Sequence, residues 1–199
     1  DMTQNFGLGD VDQKKKKLPI PGVQSASRMT AVRHGNGRDW WIVRHGFGDN
    51  TYIKYLFTED TILGPFIQQI GPSFNQNSIV INYDGTSVFN LEGNKMATAN
   101  WLGPTVVLDF DRCNGVFSNP FIINNHFRDT TLLSAIGLSF SPNGRFLYVN
   151  TIYDLNQYDL EATTPNDSVL LYSVDSSDQF FLHSSRLAPN GKIYIATWH

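Results

Sequence analysis

Apolar and polar positions along most of the chain either alternate with a period of two or merge into short apolar runs. WWIVRH (40–45), TYIKYLFT (51–58), SIVIN (78–82), TVVLDF (105–110), RFLYVNT (145–151), SVLLYSV (168–174) and KIYIAT (192–197) are rich in β-branched and aromatic residues. Each is closed off by Gly, Asn, Asp or Pro, which is the mark of short strands and tight turns. No stretch holds a 3.6-residue period for a dozen positions. TEDTILGPFIQQI (58–70) comes nearest to a helix, and Gly64-Pro65 interrupts it. The pattern predicts an all-β chain with little or no helix.

The strands recur in a larger unit. FSPNGRFLYV (140–149) is echoed by LAPNGKIYIA (187–196), with Pro two residues before each central glycine, Asn one before it, and a basic residue after it. Gly93 of FNLEGNKMATAN and Asn36-Gly37 of HGNGRDWWIV continue the phase toward the start of the chain. Asn-Gly at a hairpin favours φ > 0 at both turn positions. A four-stranded unit returning about every fifty residues is the signature of a β-propeller blade. One small antiparallel sheet cannot bury both of its faces, whereas sheets stacked around an axis bury each face on a neighbour. RFLYVNT fits that role, because both of its alternating sets are largely apolar. The units fall at 28–72, 78–125, 133–177 and 180–199, with 1–27 as an entering strand and loop. This amounts to about three and a half to four blades, where closed rings use roughly four to eight. The remaining open sheet edges call for further blades or a partner chain to cover them.

FSPNGRFLYV and LAPNGKIYIA resemble the FSPDGK-type hairpin of WD40-like propeller repeats. MTAVRHGNGRDWWIVRH, TVVLDFDRCNGVFSNPFII, LSFSPNGRFLYVNT with NQYDL, and RLAPNGKIYIA together resemble the propeller region of large exported proteins of Bacteroidetes-type bacteria. The resemblance runs over the whole chain. It implies a secreted or cell-surface protein carried by the type IX route, and it brings no catalytic residue with it.

Composition narrows the partners. Charged residues are 17% of the chain and the formal net charge is −3, so no basic excess serves a nucleic-acid backbone. The one basic block, Lys14 to Lys17, reads as a solvated loop. Cys113 is the single cysteine, so no disulfide forms within the chain. No run of about 18 apolar residues suggests a membrane span. The chain opens on Asp1 and closes after IYIATWH within a strand-like run, so both ends read as cut from a longer protein.

Candidate chemistry is sparse. His34, His45, His126, His183 and His199 show no i, i+4 pair of the kind a helical metal site needs. A propeller gathers distant residues at its axis, so His34 and His183, beside innermost strands, are candidates for a shared axial site with Arg28 and Arg186. Asp109 and Asp111 lie on one side of their strand, although Asp111 and Asn114 before Gly115 read better as a turn. Asp10 and Asp12 lack the remaining ligands of a calcium loop. There is no G-x-S-x-G elbow and no phosphate-binding glycine motif. Trp40 and Trp41 point to opposite sides of one strand and are expected to fill the wedges between blades. Trp101, next to Gly103-Pro104, is the best candidate for a surface contact.

The reading drawn from these observations is a non-enzymatic secreted or cell-surface propeller that recognises a protein or glycan through loops at one end of the ring. Trp101, Arg28, His34, His183 and Arg186 are its ligand-binding candidates. It calls for no cofactor, no nucleic acid and no membrane span. The alternative is a lactonase-like propeller hydrolase or lyase with an axial metal or a His/Arg site.

Overall fold

The computed structural model describes residues 3, 5–9, 24–46, 49–73, 85–100, 104–123, 135–164, 167–175 and 177–198. Apart from one 3-10 turn at Asn5–Gly7, the regular structure there is all strand. The first sheet consists of β1 (Gln24–Arg33), β2 (Trp40–Gly46), β3 (Thr51–Phe57) and β4 (Ile62–Gln69). The second holds β5 (Gly85–Phe89), β6 (Lys95–Asn100), β7 (Thr105–Asp111) and β8 (Val116–Ile123). The third holds β9 (Gly137–Phe140), β10 (Phe146–Asn150), β11 (Asp154–Asp159) and β12 (Ser168–Ser173). The fourth is the pair β13 (Phe181–Leu187) and β14 (Ile193–Trp198). Strands pair antiparallel in chain order, so each sheet is a simple meander. Its first strands line up side by side: β1 lies against β5, β5 against β9, and β9 against β13. The sheets therefore radiate from a common axis as propeller blades, as the repeat predicts. SIVIN (78–82), the lysine block, Asp10, Asp12, Trp101, His126 and His199 lie outside the described residues.

Both faces of the second sheet are buried. Val106 and Leu108 of β7 join Val32, Trp41, Val43 and Tyr52 of the first sheet in one core. Val107, between them in sequence, joins Leu138, Phe140, Leu147 and Val149 of the third sheet in another. Neighbouring residues of a strand point to opposite faces, so a run such as TVVL serves two cores at once. Each fully buried side chain of this size stabilises the fold by about 1.5–3 kcal/mol.

The echoed glycines are equivalent. Gly37, Gly93, Gly144 and Gly191 have φ of 75, 72, 72 and 76°. Each donates its N–H to the carbonyl three residues back, at 2.9–3.0 Å. The turn differs from the expected one, in that only the glycine is left-handed and the residue before it, asparagine in all but the Glu92-Gly93 turn, is not. The asparagine side chain supplies the reason. Asn36 Oδ1 accepts from Arg38 N and Asp39 N at 3.0 and 3.1 Å, Asn143 Oδ1 from Arg145 N at 3.2 Å, and Asn190 Oδ1 from Lys192 N at 3.1 Å. Such side-chain turns hold the asparagine at negative φ and leave the reversal to glycine. The basic residue after the turn reaches a carboxylate on the neighbouring strand: Lys95 Nζ sits 2.6 Å from Asp109, and Arg145 Nη2 sits 2.6 Å from Asp159.

Trp41 fills the wedge between the first two sheets, 3% exposed, with its indole N–H donating to Arg112 O at 2.8 Å. Trp40 does not fill a wedge. It is 42% exposed, with the Arg33 guanidinium 5.3 Å from its ring. Among the described residues no helix is long and apolar enough to cross a membrane.

Candidate functional site

The hairpins turning on Gly37, Gly93, Gly144 and Gly191 all lie at one end of the axis. The other end collects the beginnings of β1, β5, β9 and β13, together with the β2–β3, β6–β7 and β10–β11 connections. At this second end the innermost strands behave in two ways. β5 and β9 pair regularly from their first residue, which is glycine in both cases: Gly85 opposite Asn100, and Gly137 opposite Asn150. β1 and β13 break register. The pairing of β1 jumps between Gln24 and Met29, and that of β13 between Leu182 and Ser185. Arg28 lies in the first break and His183 in the second. Register breaks of this kind re-aim side chains and gather beside functional sites.

Arg28 is 1% exposed, and its Nη2 donates to Gly46 O at 3.4 Å. The carbonyl of Gly46 also accepts from His45 Nδ1 at 2.7 Å, and the His45 ring meets Tyr52 edge-on with centroids 4.5 Å apart. Burial lowers the Arg28 pKa to about 10, so the guanidinium is still charged at neutral pH, with Tyr52 and Asp49 pulling the other way. Burial, reinforced by the Arg28 charge, lowers His45 to about 3 and keeps that imidazole neutral. Burial raises the Tyr52 phenol well above its ordinary range. Glycine makes room for the guanidinium stem, since a Cβ at Gly85 would stand 2.8 Å from Arg28 Cδ and 2.2 Å from Ala99 O.

His183 is exposed, whereas Leu182 and Ser185 on either side are buried. Plain alternation cannot bury residues three apart on one face. The bulge at His183 and Ser184 resolves this, and it turns the histidine outward. The His183 carbonyl accepts from Asn150 Nδ2 at 2.5 Å, which ties the fourth sheet to the third. Below it, Ser139 Oγ donates to Ser185 Oγ at 3.3 Å.

The other sequence candidates fall elsewhere. His34 sits at the hairpin end, where its Nε2 donates to Cys113 O and its Nδ1 accepts from Asn36 N, both at 3.0 Å. Its ring is therefore occupied in joining two turns, and it does not meet His183. Arg186 lies toward the hairpin end of β13 with Nη1 donating to Ser185 O at 2.9 Å. Trp101 lies outside the described residues. Asp111 has the turn role, its Oδ1 accepting from Cys113 N at 2.8 Å and Asn114 N at 3.1 Å. Asp109 bonds Lys95 and Asn119 rather than a second acid. Among the described residues no three of His, Cys, Asp and Glu come together to hold a metal ion.

In the sequence His45 is only one of five scattered histidines, and nothing local singles out Asn150, Gly85 or Gly137. Gly85-Thr86-Ser87 and Gly137-Leu138-Ser139 share spacing and register, and their repetition was the available signal.

No family model and no curated protein matches the chain. Solved structures do. A candidate 6-phosphogluconolactonase from Bacteroides uniformis aligns with a TM-score of 0.50 at 13% identity, over 89% of this chain and 51% of that one. A luciferin-regenerating enzyme aligns with a TM-score of 0.50 at 14% identity, over 83% and 52%. The fold is a β-propeller. The chain spans about half the length of these structures. They also correct the preference for a non-enzymatic binding module, because the structures sharing this fold bear the names of enzymes. The preference rested on the lack of a local catalytic motif. That lack carries little weight in a fold whose site residues come from strands far apart in sequence.

Proposed function

We propose that the chain is part of a lactonase-like propeller hydrolase, with its reaction centre at the end of the axis where β1, β5, β9 and β13 begin. The observation that carries this reading is the pair of register breaks. Both occur at that end of an innermost strand, and they hold Arg28 and His183. The names of the structural neighbours supply the substrate class, a cyclic ester.

In this reading the exposed imidazole of His183 accepts a proton from water. The water oxygen adds to the lactone carbonyl carbon, and negative charge builds on the carbonyl oxygen. When the ring C–O bond breaks, the leaving alkoxide takes the proton back and the product is an open-chain hydroxy acid. Arg28 is too deeply buried to touch substrate. Its fixed positive charge raises the potential at the axis, where a developing oxyanion is stabilised without reorganisation of the protein. Export of the protein belongs to the same proposal and rests on the resemblance to exported Bacteroidetes-type propellers. A leader in the complete reading frame is its test.

The activity test is hydrolysis of glucono-δ-lactone by the purified full chain, followed as acid release above the spontaneous rate. Loss of a general base costs about 10²–10⁴-fold, so His183→Gln is expected to lower kcat/KM at least a hundredfold. His34→Gln, at the opposite end, is expected to leave it unchanged. Full activity in His183→Gln overturns the assignment.

A further inference from the structure

We propose that Asn150 is the positioning residue of this centre: it holds His183 in place across the junction of the third and fourth sheets. The inference rests on the hydrolase reading for the role of His183, and on geometry for the rest. Asn150 is the last residue of β10, directly opposite Gly137, and it is fully buried at 0% exposure. Its Nδ2 donates to His183 O at 2.5 Å and to Thr151 O at 3.4 Å. One side-chain amide thus spans from its own strand end to the carbonyl of the residue in the β13 bulge.

The other half of the amide shows how tightly the group is placed. Asn150 Oδ1 is buried without a hydrogen-bond partner among the described residues. It faces Gly137, where a Cβ would come within 2.1 Å of it and within 2.8 Å of Ser185 Oγ. A buried acceptor left unpaired costs on the order of 1–3 kcal/mol. A residue whose only role was to fill space would not be an amide here, since an apolar side chain carries no such cost. What the amide adds is the donor to His183 O. A bulge lacks the regular ladder that would fix its backbone, so this external bond stands in for the missing pairing at that residue.

The test compares Asn150→Leu and Asn150→Ser with the wild-type full chain. Leucine keeps the size and removes the donor. Two readouts are taken: lactone hydrolysis, and the imidazole resonances of His183 at fixed pH, assigned by their disappearance in His183→Gln. Misplacement of a reacting group by about 1 Å costs up to roughly a hundredfold in rate. The expected result is kcat reduced at least about tenfold, KM within about twofold, and displaced His183 imidazole resonances in both variants. Unchanged His183 resonances in a folded variant overturn the proposal, as does loss of folding in both variants, which would make Asn150 a stability residue. If the wild-type protein opens no lactone, the hydrolase reading falls, while the resonances still decide whether Asn150 places His183.

Discussion

Gly115 and Gly37 offer a paired measurement of how firmly the first two sheets are locked together. Both glycines sit in turns with left-handed backbone, φ of 67 and 75°. Placing an L side chain there costs about 1–2 kcal/mol in either case. The surroundings differ. A Cβ at Gly37 meets nothing within 4 Å. A Cβ at Gly115, in the turn between β7 and β8, comes 2.5 Å from Cη2 and Cζ2 of Trp41 and 3.0 Å from Cε2. The indole cannot swing aside easily. Its N–H is bonded to Arg112 O at 2.8 Å, and its ring lies edge-on to Phe66 and Phe110 at 5.8 and 6.3 Å. Forcing a methyl group into such packing costs about 1–3 kcal/mol. Gly37→Ala is therefore expected to destabilise by about 1–2 kcal/mol. Gly115→Ala carries the packing cost as well, for a total of about 2–5 kcal/mol. Urea unfolding of both variants against wild type measures the difference, because the strain common to both cancels. Equal midpoints for the two variants would refute the claim that Trp41 is wedged rigidly between the sheets.

Two further outcomes are expected. Lys54 is buried in the junction of the first two sheets, its Nζ donating to Gln68 Oε1 at 2.7 Å, and burial lowers its pKa to about 8 from 10.5. Between those values the unfolded chain holds a proton that the folded protein has released, so this residue makes stability rise with pH from about 8 to 10.5; thermal melts of wild type and Lys54→Met across that range should show the rise in the wild type alone, and parallel profiles would count against it. Gly85→Ala puts a Cβ 2.2 Å from Ala99 O, a backbone atom that cannot rotate away, and should destabilise by about 1–3 kcal/mol; a urea midpoint equal to that of wild type would show that the Arg28 stem is not confined there.

The repeat was readable because one physical demand leaves one residue standing. A turn that needs a left-handed residue selects glycine, so Gly37, Gly93, Gly144 and Gly191 mark the hairpins whatever else drifts. Two-sided burial was readable for the same reason, since a strand packed on both faces cannot alternate with polar residues. The type of turn was not readable from the Asn-Gly pair, because the competing bond from the asparagine side chain to the backbone depends on the residues that follow. Trp40 and Trp41 could not be told apart either. They differ only in which side of β2 faces the second sheet, and that is fixed by register rather than composition.

The local geometry around Arg28 and His183 was hidden for a different reason. Leu182 and Ser185 are both buried, three residues apart, and only a bulge reconciles this with the pleat. A serine gives no apolar signal, so nothing in the sequence announces the bulge or the outward turn of His183 that it causes. Arg28 was legible as an axial candidate, but its burial was not: it is buried because Gly85 on the next innermost strand lacks a side chain. The bulge depends on strand pairing, and the burial of Arg28 on the meeting of two sheets. Propeller topology alone was enough to nominate Arg28 and His183 as axial residues, but not to separate them from His34 and Arg186, and no local motif points to the supporting Asn150, Gly85 and Gly137.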